Sequence, residues 1–255
     1  MCVIIVKFKG ADFPSKQVVA ACMQANPEGF AAAWNENGVL KVFKTLSAPE
    51  MMQTYEHIRH LDKDATGLVL HARIMTHGPV KLENCHCWTD SAKTLAFAHN
   101  GVLHSIEPRD KGITDSETFF RDFFLPVYEA CDKSVAWRIA EMVAKSNNSR
   151  FAFIDSTGTI NVYGAFSKEC EEGHHGMVYF SNMAWKSRMS MQWDFDKKKK
   201  AQKTRGSVIV ERGEDGRVKE VYVKDLLRKD TPVAAPMTST RDELPFWRPT
   251  GGLFD

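Results

Sequence analysis

The 255-residue chain has no apolar run near the ~18 residues that a membrane-crossing helix needs, so spanning a membrane is not among its expected roles. It has no excess of one charge. Its 34 Lys and Arg face 32 Asp and Glu, and a net of +2 gives no bulk field to draw it to nucleic acid or an anionic membrane. It lacks a basic, apolar export leader, since Met1 to Lys7 is too short for one, and a cytoplasmic location is expected. It also lacks a Cys-x-x-Cys pair. Cys2, Cys22, Cys85, Cys87, Cys131 and Cys170 are scattered, which excludes a small disulfide scaffold and fits reduced thiols. Cys85-His86-Cys87 and His174-His175 set ligand types side by side without completing a tetrahedral set, and no metal is expected. What is present is 43% apolar and 26% charged, the make-up of a soluble globular protein of one large or two small domains.

Val- and Ile-rich Cys2 to Phe8 reads as a buried strand, and 15–25 has helical spacing that ends at Asn26-Pro27-Glu28-Gly29. Strands 30–34 and 39–43 flank Asn35-Glu36-Asn37-Gly38, a hairpin signal. A helix is expected over 48–61 and strands over 67–74 and 94–99. Residues 115–130 carry Phe119, Phe120, Phe123 and Phe124 at helical spacing, with Pro126 expected to kink or end the helix. A second helix over 134–145 offers Trp137, Ile139, Met142 and Val143 as its apolar face. Strands over 150–155 and 159–163 bracket a turn, and 176–180 is a further strand. Strands at both ends with paired helices between them indicate an α+β layered domain.

Composition changes near residue 194. A basic stretch, 194–205, is followed by a hairpin of 207–211 and 218–223, and 229–255 has little periodicity. The expected division is therefore a domain at 1–190, a basic linker and hairpin extension at 191–228, and an irregular tail at 229–255. The lysine run 197–200 reads as solvated linker, and nucleic acid is not an expected partner.

Read from position alone, Cys2 is either a small residue opening a buried strand or a nucleophile. Trimming of Met1 would leave a free α-amine beside the thiol. With pKa values of ~7.7–8.0 and ~8.5, that amine can accept the thiol proton, so one residue supplies both base and nucleophile. Three other segments accompany it: His71-Ala72-Arg73-Ile74-Met75-Thr76-His77-Gly78, Ala98-His99-Asn100-Gly101-Val102, and Thr114-Asp115-Ser116-Glu117.

With Met1-Cys2, in this order, these segments resemble the glutaminase domain of class II glutamine amidotransferases, among the N-terminal nucleophile hydrolases. The resemblance covers about residues 1–190, with weaker echoes at 26–34 and 150–155. It implies a four-layer αββα sandwich with two mainly antiparallel sheets, and glutamine amide hydrolysis through a thioester on Cys2. Asn100 and Gly101 would hold the oxyanion, Arg73 the substrate carboxylate and Asp115 its ammonium. Thr76 and His77 would lie around the pocket, with His77 not acting as base. The resemblance implies no cofactor and glutamine or a related small amide as substrate; the domain would work alone as a glutaminase, feed a separate ammonia-accepting synthase, or have lost transfer altogether. Nothing in the residues sets an oligomeric state.

Two positions depart from the family pattern: Val3 stands where glycine is usual and Ile74 where an aromatic is common. They leave open another amide as substrate. A non-catalytic binding or regulatory protein on the same scaffold is the alternative of a different class.

Overall fold

The computed structural model describes residues 1–75 and 78–189, together with the backbone of 208–212 and 218–222. Thr76 and His77, the basic stretch at 194–205 and the tail at 229–255 lie outside the described residues. The elements run β1 (Val3–Lys7), α1 (Lys16–Ala25), β2 (Phe30–Glu36), β3 (Val39–Thr45), α2 (Ala48–Ile58), β4 (Leu68–Ala72), β5 (Trp88–Thr89) and β6 (Leu95–Asn100). There follow α3 (Asp115–Thr118), a π-helical stretch (Phe119–Phe124), α4 (Leu125–Ala130), α5 (Lys133–Ser146), β7 (Arg150–Asp155), β8 (Ile160–Tyr163), β9 (Ser167–Glu169) and β10 (Val178–Phe180). Beyond a 3-10 turn at Ala184–Arg188 come β11 (Val208–Arg212) and β12 (Val218–Tyr222).

Among the described residues these strands form two antiparallel sheets. One has the order β12-β11-β3-β2-β4-β1-β10-β9 and the other β5-β6-β7-β8. Strand alternation divides the core into three layers. Val3, Ile5, Phe30, Ala32, Trp34, Leu68 and Leu70 face α1 and α2, while Ile4, Val6, Ala31, Ala33 and Val69 face the second sheet. That sheet answers with Ala96, Ala98, Ala152 and Ile154, and turns Phe97, Phe151 and Phe153 toward Phe119, Phe120 and Phe124 on the helical side. The result is the expected αββα order: an alanine-rich seam between the sheets and an aromatic core under the second helical layer.

Local chemistry accounts for the boundaries. Ser15, Ser47, Thr114 and Asp132 cap α1, α2, α3 and α5 by accepting main-chain N–H groups. Asn37 and Gly38, both with positive φ (53° and 76°), make the two-residue turn between β2 and β3.

Two expectations are corrected. Pro126 does not end its helix. The preceding turns widen instead, with the Leu125 N–H bonded to the Phe120 carbonyl, and the helix runs on to Ala130. On α5 the buried seam is Ala136, Ala140 and Ala144, whereas Met142 is 69% exposed. Small residues every fourth position let the helix lie close to the sheet, which leaves the larger side chains at its flanks.

Candidate active site

The alternation that builds the seam also builds the site. Cys2 has the same parity as Ile4 and Val6, and Asn100 the same parity as Ala96 and Ala98, so both point inward from facing sheets. They share a cavity of about 390 Å³ with Gly101, Met1, Asn148 and Arg150 among its lining residues. Three of the residues singled out from the sequence thus meet at one opening.

Cys2 lies just before β1 and is 9% exposed. Its Sγ is 3.3 Å from the Ile74 carbonyl oxygen and 3.4 Å from the Ile74 nitrogen. Burial pushes the thiol above its ordinary pKa, against the Ile74 N–H, the chain's amino terminus and the Arg73 guanidinium, which all favour the thiolate. Met1 is in place, 68% exposed, at the rim of the cavity.

Gly101 has φ +147°, and a Cβ there would lie 2.2 Å from Ser149 Oγ and 3.0 Å from His99 Nε2. Only glycine fits, and it leaves the main chain at the cavity uncovered.

The other residues sit nearby but outside the cavity's lining. Arg73 extends β4 by one residue, its N–H on the Gly29 carbonyl and its carbonyl on the Glu28 N–H. Its guanidinium donates to the carbonyls of Gly78 (3.2 Å) and Pro79 (3.4 Å), and the residue is 2% exposed. Asp115 is 7% exposed; Oδ2 accepts the Leu103 N–H at 2.7 Å and Oδ1 accepts the Ser116 N–H at 2.8 Å. In this arrangement it fastens the segment after Gly101 to the start of α3.

Behind the site lie three buried histidines. His71 stacks on His86 at 3.7 Å between centroids, and His86 Nδ1 accepts the His99 N–H at 3.0 Å. His99 bonds Ser116 Oγ at 2.7 Å and Ser149 Oγ at 3.1 Å. Burial holds all three toward the neutral form, His71 down to about 3 and His99 to about 4. Cys85 and Cys87 pack into the seam between the sheets. Among the described residues no group of three or more His, Cys, Asp or Glu side chains is placed to hold a metal.

Two residues escape the sequence reading: Ser181, bonded to Asn100, and Asn182, bonded to the Cys2 carbonyl. Both are joined to the site across about 80 to 180 residues of chain. Only the pairing of β10 with β1 could have revealed them.

No match was found among curated proteins. The similar solved structures include a glutamine phosphoribosylpyrophosphate amidotransferase from B. subtilis complexed with ADP and GMP. It is 14% identical, with 87% of this chain and 49% of that one covered at a TM-score of 0.48. Another, described as the allosteric regulatory enzyme of purine biosynthesis, is 15% identical over 87% of this chain and 49% of that one, at a TM-score of 0.49. The chain spans about half the length of these two structures. The family profile described as glutamine amidotransferases, class II, matches residues 7–182. That span runs from the end of β1 to Asn182 and takes in Arg73, Asn100, Gly101 and Asp115. Well over half of the sequence is matched, and the chain belongs to the class II glutamine amidotransferases.

Proposed function

We propose that this domain hydrolyses the side-chain amide of glutamine, with Cys2 as nucleophile after removal of Met1. The observation that carries the reading is the single cavity that holds Cys2, Asn100 and Gly101. The α-amine exposed on Cys2 takes the thiol proton, and the thiolate attacks the amide carbon. The oxygen gains negative charge, which Asn100 Nδ2–H and the Gly101 N–H neutralise by hydrogen bonding. Collapse breaks the C–N bond, the ammonium returns its proton to the leaving nitrogen, and ammonia departs from a Cys2 thioester. Water, deprotonated by the same amine, attacks the thioester; glutamate leaves and the thiol is restored.

Arg73 and Asp115 fix the amino-acid end of the substrate, with Thr76 and His77 around the pocket. Orientation of that end is a large share of the expected rate. A separate synthase with an ammonia-accepting site is the partner this chemistry requires for transfer. Another amide as substrate is favoured by one observation, the engagement of the Arg73 guanidinium by the Gly78 and Pro79 carbonyls.

The test is incubation with glutamine, measuring ammonia and glutamate together, and labelling by a glutamine-like electrophile located by mass spectrometry. Equimolar products and a label on Cys2, absent in Cys2→Ala, support the reading. A label on Cys85 or Cys131, or no ammonia from a chain shown to lack Met1, overturns it.

A further inference from the structure

The ladder between β1 and β10 continues in side chains after the strand itself stops. Ile5 pairs with Phe180, so the next register position sets Ser181 against Ile4. The Ser181 N–H donates to the Ile4 carbonyl at 3.0 Å, as in an ordinary ladder. In return the Ile4 N–H donates to Ser181 Oγ at 2.8 Å rather than to a carbonyl. The same Oγ accepts Asn100 Nδ2 from the facing sheet, also at 2.8 Å. One residue on, Asn182 Nδ2 donates to the Cys2 carbonyl at 2.5 Å. Asn182 Oδ1 accepts the Ala184 N–H at 3.0 Å, an Asx turn that leaves the amide nitrogen facing Cys2.

Two physical needs meet here. The first residues of a chain fray unless something ties them, and a nucleophile on residue 2 cannot be allowed to fray. The side-chain amide of Asn100 also has two faces. With Nδ2 outward it donates to an oxyanion; turned over, Oδ1 would set a lone pair against the developing charge. Nδ2 carries two hydrogens. One is spent on Ser181 Oγ, which leaves the second for the reacting oxygen. Ser181 and Asn100 are 3% and 2% exposed, so water does not compete for that bond.

We propose that Ser181 and Asn182 are positioning residues for this hydrolysis. Ser181 sets which face of the Asn100 amide meets the oxyanion and ties β1 at Ile4, and Asn182 holds Cys2 by its carbonyl. The inference rests on the reading of Cys2 and Asn100 given above.

The test compares Ser181→Ala, Ser181→Cys, Ser181→Thr and Asn182→Ala in the chain lacking Met1. The readouts are kcat and KM for glutamine, the rate of Cys2 alkylation by iodoacetamide, which develops no oxyanion, and amide exchange at Val3 and Ile4. Ser181→Ala should lower kcat about 10–100-fold, short of the ~10²–10³ for outright loss of a donor, with KM within about threefold. Ser181→Cys, which keeps the shape but is a poor acceptor, should behave alike and serves if the alanine variant does not fold. Ser181→Thr keeps the oxygen and should restore most of kcat, and the alkylation rate should hold in all three Ser181 variants. Asn182→Ala should speed exchange at Val3 and Ile4 and lower kcat. Wild-type kcat in Ser181→Ala and Ser181→Cys, a loss confined to KM, or equal losses in the threonine variant each overturn the inference alone. A wild-type chain that lacks Met1 and releases no ammonia overturns the functional reading, and the inference with it.

Discussion

Cys2 and Ile74 are bonded in both directions: the thiol sulfur lies 3.3 Å from the Ile74 oxygen and 3.4 Å from its nitrogen, 72 residues away. The first contact holds the proton on sulfur, and the second stabilises the sulfur once the proton has gone. The main chain beyond β4 thus serves both protonation states of the Cys2 thiol.

From this follows a prediction about maturation. In the chain that keeps Met1, burial raises the Cys2 thiol, so at pH 7 iodoacetamide should modify it more slowly than the exposed thiols of Cys131 and Cys170. After removal of Met1 an adjacent amine is available as base, and the order should reverse. Peptide mapping of both forms after timed alkylation checks this; an unchanged order would sink the role given to the amine.

Gly101→Ala should cost both stability and turnover. The added carbon would lie 2.2 Å from Ser149 Oγ at a φ of +147°, and strain of this kind costs about 1–3 kcal/mol. Pairing it with Ser149→Gly removes the Oγ contact but leaves the backbone strain and His99 Nε2 at 3.0 Å without its hydroxyl partner, so denaturant melts should show at most partial recovery.

Arg73→Ala should raise KM for glutamine at least tenfold, the loss expected for a charge-assisted bond of ~1.5–3 kcal/mol to a free carboxylate. If the true substrate is an amide without that carboxylate, KM for it should not rise. Steady-state kinetics on glutamine and on a decarboxylated analogue separate the cases.

The buried histidines make stability depend on acid. His71 and His99 have folded pKa values of about 3 and about 4, below the ~6.5 of an unfolded chain. Between those values the unfolded chain binds the extra protons. Their contribution is therefore complete above pH 6.5 and is lost as pH falls toward the folded values. Each depressed histidine adds up to about 1.4 kcal/mol per pH unit inside that window. His71 is fully buried and stacked on His86, so His71→Phe, which keeps an aromatic ring there and removes the titrating group, should flatten the slope. Urea melts at pH 7, 6 and 5 measure it.

Much of this fold could be read from local signals. Caps at Ser15 and Thr114, the Asn37-Gly38 turn and the alternation of β1 place elements within a few residues of where they lie. Local signals failed where packing took over. Met142 looked like core by its spacing, yet the alanines decide which face of α5 approaches the sheet. Pro126 was expected to kink or end its helix; the turns before it widen and the helix does not end there. Within the candidate site Cys2, Asn100 and Gly101 were singled out by the family resemblance, since position alone left Cys2 open and Asn-Gly is also a turn dipeptide; the structure sets the three around one cavity. Ser181 was not singled out, since its contacts depend on two strands meeting from opposite ends of the domain. The engagement of Asp115 by Leu103 was equally invisible, because it depends on the path of a loop.

The seam of Ala31, Ala33, Ala96, Ala98 and Ala152 gives the molecule a fixed gauge. Cys2 and Asn100 ride on different sheets, so the width of the cleft between them is set by methyl groups remote from either side chain. A valine at position 98 or 152 would act as a wedge, spreading the jaws while leaving every polar group in place.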